Sequence, residues 1–154
     1  MGAAVRVGDQ APDFTLPRMD GAPFHLSEAV RRRVVVLYFY PKDETMGCTA
    51  EACAFRDQYD VFAAAGAEVV GVSADSADSH RRFAAHHGLP FVLLTDEAGT
   101  VRTAYGVGKA LGLFDGRVTY VIDRRGIVRH VFSSRINPTR HVAEALQIVK
   151  RLAA

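Results

Sequence analysis

The stretch Val34-Val-Val-Leu-Tyr-Phe-Tyr40 constrains this chain more than any other. It is an unbroken apolar run, too short for a helix and rich in β-branched and aromatic side chains. That pattern belongs to a strand covered on both faces, as in the middle of an α/β sheet. Beyond it the period changes. Cys48, Ala52, Phe55, Tyr59 and Phe62 recur at steps of four and three, the buried stripe of a helix that ends at a C-cap near Gly66. Pro41 to Gly47 is then a loop at the C-terminal end of a central strand. Ligands and chemistry favour that edge of an open α/β sheet.

Both cysteines of the chain, Cys48 and Cys53, fall in this stretch. A thiol in a first helical turn sits among unpaired backbone N–H groups at the positive end of the helix dipole. Both effects favour the thiolate, which is the nucleophile. The competing reading is a pair of small buried hydrophobes. Two thiols placed together at a helix start, after a Pro-containing loop, weigh against it.

With 154 residues the chain is long enough for one core without disulfide staples, and residues 1–154 read as a single domain. No segment approaches the ~18 apolar residues of a membrane span, and Met1 to Arg6 lacks a signal-like apolar run. A net charge of +2 with interleaved signs argues against a nucleic-acid surface. A cytoplasmic protein with no membrane or nucleic-acid partner is expected. In a reducing compartment two cysteines point to catalysis, redox chemistry or metal binding.

Asp13–Leu16 and Ala22–Leu26 alternate around Met19-Asp20-Gly21 and predict a hairpin. Ser27 is placed to cap a short helix that ends in the solvated Arg31-Arg32-Arg33. Further strands are expected at Glu68–Ser73 and Phe91–Thr95, with a helix from Asp75 or Ser76 to His87 and a short one through Val101 and Tyr105. This alternation implies a largely parallel inner sheet. Val118–Ile122 and Ile127–Phe132 then flank the turn Asp123-Arg-Arg-Gly126. Asn137-Pro138 opens a last helix as N-cap and N1, with Val142, Leu146 and Val149 buried. The fold class is α/β, a mixed sheet with helices on both faces. Gly106–Gly112 is one residue too long for a dinucleotide fingerprint and precedes a strand, so it reads as a flexible loop. The six histidines lack metal-ligand spacing and stand far from either cysteine in sequence; they read as solvated or capping, with His86 and His87 pointing about 100° apart.

Pro41-x-x-x-Thr45-x-x-Cys48 is similar to the active-site signature of peroxiredoxins. Tyr40 to Cys53 resembles the bacterioferritin-comigratory-protein or PrxQ branch, except that Met46 stands where the branch usually has proline. The resemblance extends to Val7–Phe14, Gly71–Asp75 and Arg117–Asp123. It implies a thioredoxin-like fold and thiol-dependent reduction of hydroperoxides without a cofactor or metal. Cys48 becomes the peroxide-attacking thiol and Thr45 a hydrogen-bond partner of the peroxide. Arg117, which alone reads as a surface arginine, becomes the cation beside the sulfur, and Pro41 a shield without an N–H. The resemblance further implies a sulfenic acid at Cys48, resolution by Cys53 and recycling by thioredoxin or a similar dithiol, in a monomer. A thiol–disulfide sensor and a thiol-based metal carrier remain alternatives. On a regular helix, Cys48 and Cys53 differ by about 140° and their Cα atoms by roughly 8–9 Å. That exceeds the ~7 Å reach of a disulfide, so pairing requires the helix to unwind locally.

Overall fold

The computed structural model of the chain describes residues 4–107, 109–110, 114–134 and 137–153. Residues 1–3, part of the N-terminal stretch discussed above, lie outside them. So does much of the glycine-rich stretch, Gly108 and residues 111–113.

The apolar run forms β3 (Val34–Phe39), and all of its residues are buried. Their side chains alternate between two layers, as the period of a strand requires. Val35, Leu37 and Phe39 enter one apolar cluster; Val34, Val36 and Tyr38 enter the other. The first layer is filled by α1 (Leu26–Arg32), α5 (Thr100–Ala104) and the N-terminal segment. That segment includes the hairpin β1 (Thr15–Pro17) and β2 (Pro23–His25). The second is covered by α2 (Met46–Asp57), α3 (Tyr59–Ala64), α4 (Ala77–His87) and α6 (Pro138–Ala153). Helices thus lie on both faces, as expected.

β3 is central because it pairs on both edges. Parallel to it lies β4 (Ala67–Ser73), with β5 (Val92–Thr95) parallel beyond. Antiparallel on its other side come β8 (Val118–Ile122) and then β9 (Val128–Ser133). The order β5-β4-β3-β8-β9 is the mixed sheet predicted. Its antiparallel part turns through Asp123-Arg-Arg-Gly126. There Gly126 (φ 81°) takes the left-handed conformation that closes the turn, and its N–H reaches the Asp123 carbonyl at 2.9 Å.

Several local expectations change. The helix after the loop is broken at Gln58, whose N–H is shared among the carbonyls of Ala54, Phe55 and Arg56, so α2 and α3 are separate. Ser27 is no cap: α1 begins at Leu26, and the Ser27 N–H is instead taken by Asp13 Oδ1 at 2.9 Å. A carboxylate brought from the preceding segment does the capping. Ser76 does cap α4, accepting from the Ser79 N–H. Within the glycine-rich stretch, β6 (Lys109–Ala110) pairs antiparallel with β7 (Phe114–Asp115). The buried stripe of α6 uses Val142, Ala145 and Val149, with Leu146 only partly buried.

Candidate active site

The loop after β3 is anchored before it reaches the cysteine. Tyr40 Oη donates to Asp43 Oδ1 at 2.6 Å, and Ser79 Oγ of α4 donates to Asp43 Oδ2 at 2.9 Å. His80 Nδ1 stands 2.7 Å from the same Oδ2, and the Asp43 N–H donates to Asp75 Oδ2 at 2.8 Å. His80 Nε2 faces the Leu94 carbonyl at 3.0 Å; a carbonyl only accepts, so that nitrogen carries a proton. Glu44 follows in the left-handed region (φ 63°), where its carboxylate meets both His86 and His87. Hydrogen bonds from His87 and then His86 hold that carboxyl below the usual range. The histidines therefore depart from expectation. His80 and His141 are fully buried, and His86 and His87 converge on one carboxylate instead of diverging.

Pro41 is half-buried at the head of this loop, and Thr45 is the N-cap of α2. Thr45 Oγ1 donates to the Lys42 carbonyl at 2.8 Å. Its proton is thus committed and its lone pairs remain to accept. The helix starts one residue before Gly47, at Met46, whose side chain is 90% exposed.

Cys48 lies in the first turn of α2 and is 1% exposed. Arg117, on the segment entering β8, is buried (5% exposed) and donates from Nη2 to Cys48 Sγ at 3.4 Å. It is no surface arginine. Its Nη1 donates to Glu51 Oε1 at 2.5 Å, and its Nε has no hydrogen-bond partner among the described residues. Gly47 makes this approach possible, because a Cβ there would stand 3.0 Å from Arg117 Nη2. Arg102 ties the two chain segments together, donating to the Tyr40 carbonyl at 3.1 Å and the Gly116 carbonyl at 3.2 Å.

Behind the arginine is a floor the sequence reading missed. Glu51 is three residues after Cys48, on the same helical face, and fully buried. Burial lifts its carboxyl to about 8, with the Arg117 guanidinium opposing. Burial also works against the charge on Arg117, but Glu51 and then Cys48 outweigh it and hold Arg117 above its ordinary value. From α6, His141 Nε2 donates to the Ser134 carbonyl at 2.7 Å, so its Nδ1 accepts from Thr119 Oγ1 at 2.8 Å. That Nδ1 lies 3.6 Å from Glu51 Oε2. Burial pushes His141 down to about 4, against the Ser134 carbonyl and with help from Arg117, so the ring is neutral at pH 7. The available signal was positional: Glu51 and His141 are polar residues on helix faces that otherwise read as apolar.

Cys53 lies further along α2, half-buried, and both thiols are free. The helix is continuous across the pair, so their Cα atoms stand roughly 8–9 Å apart and the sulfurs cannot bond without backbone movement. The site thus presents a buried sulfur beside a guanidinium and the free N–H groups of a first turn, with a second thiol out of reach.

The AhpC/TSA family model matches residues 7–131. The chain belongs to the AhpC/TSA family. Chloroplastic peroxiredoxin Q of Sedum lineare is 48% identical over 151 residues, 97% of this chain and 81% of that protein. Its counterpart in Triticum aestivum is 47% identical over 149 residues, covering 96% and 68%. Among solved structures, peroxidoxin BcpB of Mycobacterium tuberculosis superposes with a TM-score of 0.89 at 38% identity, covering 96% of this chain and 98% of that one. A Xylella fastidiosa PrxQ variant gives 0.89 at 27% identity, covering 99% and 100%. The fold is therefore the thioredoxin-like fold of peroxiredoxins. The chain is a thiol peroxidase, taking a peroxide as oxidant and a thiol as reductant.

The His141 environment sets a pH dependence. A folded-state value near 4 against the ordinary 6.5 means that the unfolded chain binds the extra proton first. The stabilising contribution is present above 6.5 and is lost as pH falls from 6.5 towards 4. Between pH 7 and pH 4, wild type should lose roughly 3 kcal/mol relative to His141→Gln. Urea unfolding of both proteins at the two pH values measures it; parallel losses would contradict the assignment.

Proposed function

We propose that Cys48 is the peroxide-attacking residue, that Cys53 resolves it, and that a thioredoxin-like dithiol closes the cycle in a monomeric enzyme. The observation that carries this reading is the Arg117 guanidinium bridging Cys48 Sγ and buried Glu51 at the first turn of α2. A sulfur so placed faces positive charge and free N–H groups, the environment in which a thiolate is favoured. The thiolate attacks one peroxide oxygen along the O–O bond. The other oxygen leaves with the bonding pair and takes a proton, giving water or an alcohol.

Charge growing on the leaving oxygen calls for donors already in place. The Arg117 Nε proton and the N–H groups of the first turn are the unspent ones. Thr45, its own proton held by Lys42, accepts the hydroperoxide O–H. Pro41 contributes apolar bulk and no competing N–H. The Cys48 sulfenic acid then condenses with the Cys53 thiol, releasing water and forming the disulfide. An external dithiol opens that disulfide by exchange. Organic hydroperoxides are included among the substrates; alkyl peroxide reduction is the subject of the structures of a Xanthomonas campestris neighbour, bacterioferritin comigratory protein, at 30% identity.

Condensation requires α2 to open, and its packing says where. Met46, Gly47, Thr49 and Ala50 are exposed or half-buried, whereas Glu51, Ala52 and Phe55 are buried, with Phe55 stacked 4.6 Å from Tyr38. Unwinding is confined to the first turn and a half, sparing Phe55. An unwound Met46–Ala50 frees the amides that bond back to those residues and their neighbours, from Thr49 to Ala54.

Three outcomes are expected. Cys48→Ser abolishes peroxide reduction, while Cys53→Ser keeps one rapid sulfenic acid burst, seen by stopped flow and dimedone trapping, and loses thioredoxin-supported turnover. Equal bursts in the two variants would reverse or void the assignment. Arg117→Ala lowers the second-order rate with peroxide about a hundredfold, roughly 3 kcal/mol, and Arg117→Lys restores only part; an undiminished alanine variant assigns the task to another cation. Hydrogen exchange shows amides Thr49 to Ala54 losing protection on oxidation while Arg56 and Asp57 keep theirs. Identical protection in both redox states rules out local unwinding.

A further inference from the structure

Away from the thiols, the loop leading into α2 and the C-terminal end of α4 bring three metal-ligating side chains together. His86 and His87 close α4, and Glu44 faces them from the loop. His86 Nδ1 lies 3.1 Å from Glu44 Oε2, and His87 Nε2 lies 3.0 Å from Glu44 Oε1. One ligand atom from each residue falls within 4.8 Å of the other two. Consecutive helical residues point about 100° apart. These two rings nevertheless converge, with centroids 4.1 Å apart, because both turn to one carboxylate. Glu44 reaches them from a left-handed backbone that non-glycine residues seldom adopt.

The spacings fit an ion. Two donors each about 2.1 Å from a metal, at tetrahedral or octahedral angles, stand roughly 3.0–3.4 Å apart. Both carboxylate–imidazole distances fall in that range. Two imidazoles and a carboxylate suit Zn2+ and its first-row neighbours; Ca2+ and Mg2+ prefer oxygen alone. Glu44 and His86 are exposed, which leaves the solvent side open for water ligands. His87 is half-buried and held edge-on against Phe83, 5.3 Å between centroids, so one ligand is already fixed. The nearby trio Asp43, Asp75 and His80 differs, because its acceptors and donors are engaged by Tyr40, Ser73, Ser79 and the Leu94 carbonyl.

We propose that Glu44, His86 and His87 form a binding site for a divalent transition-metal ion of the Zn2+ class, which ties the active-site loop to the end of α4. The site is independent of the thiol chemistry. The test is titration of Zn2+ into the 154-residue chain carrying Cys48→Ser and Cys53→Ser, so that no thiolate competes. Calorimetry should give one ion per chain, and the melting temperature should rise with Zn2+. His86→Ala, Glu44→Gln and His87→Gln, each added singly, should weaken binding at least roughly tenfold and remove that rise. Their metal-free melting curves report that they remain folded, and His130→Ala, elsewhere on the surface, should bind like the parent. No binding at millimolar Zn2+, or undiminished binding in the His86 and His87 variants, overturns the proposal. In that case the three residues form a hydrogen-bonded cluster alone.

Discussion

A buried hydrogen bond between the Arg117 guanidinium and the Glu51 carboxyl underlies the arrangement of the site. Both side chains are almost fully removed from water, and removing either leaves the other's polar atoms buried without a partner, at a cost of about 1–3 kcal/mol. Each of its neighbours follows from the need to hold it. A Cβ at position 47 would crowd Arg117 Nη2 and push the guanidinium back by a few tenths of an ångström. Arg102 fixes the backbone just before Arg117 to the end of β3. His141 and Thr119 close the space behind Glu51 with a neutral, hydrogen-bonded pair. Cys48 completes the set by receiving the Arg117 donor that Glu51 does not use.

The sheet explains why such a cluster forms at this edge. β3 and β8 are neighbours, and the C-terminal end of β3 lies beside the start of β8: Phe39 pairs with Val118. The residue just before Val118 is therefore carried to the loop where α2 begins. Strand pairing brings together side chains far apart in sequence, and helix geometry adds Glu51 one turn below Cys48.

Much of this was legible in the sequence. The buried central strand, the strand–helix alternation, the terminal hairpin and the cysteine at a helix start all write their period or their turn residues locally. Cys48 was singled out by its place at a helix start, Thr45 and Pro41 by a contiguous motif, and Arg117 through resemblance alone, since nothing around Gly116 marks it as buried. Glu51 was in plain view but unassigned, because burial of a carboxylate depends on a partner that only the β3–β8 pairing supplies. His80 and His141 were misjudged for the same reason; their acceptors, Asp43, Leu94 and Ser134, are distant in sequence or in a loop. Helix ends were read less well than helix faces. The cap of α1 comes from Asp13 on another segment, and the break at Gln58 has no glycine or proline to announce it.

α4 grips the segment that carries Cys48 at two points. Upstream, Asp43 and Glu44 are bound to it; downstream, Arg56 in the last turn of α2 donates to the His87 carbonyl at 2.7 Å. The segment between is a short chain with both ends clamped to one rigid helix. Rejoining ends held this close carries little entropic cost. If the first turn unwinds for disulfide formation as proposed, its rewinding is therefore the closure of a short tethered loop, an event of about 10–100 ns, and not the refolding of a helix.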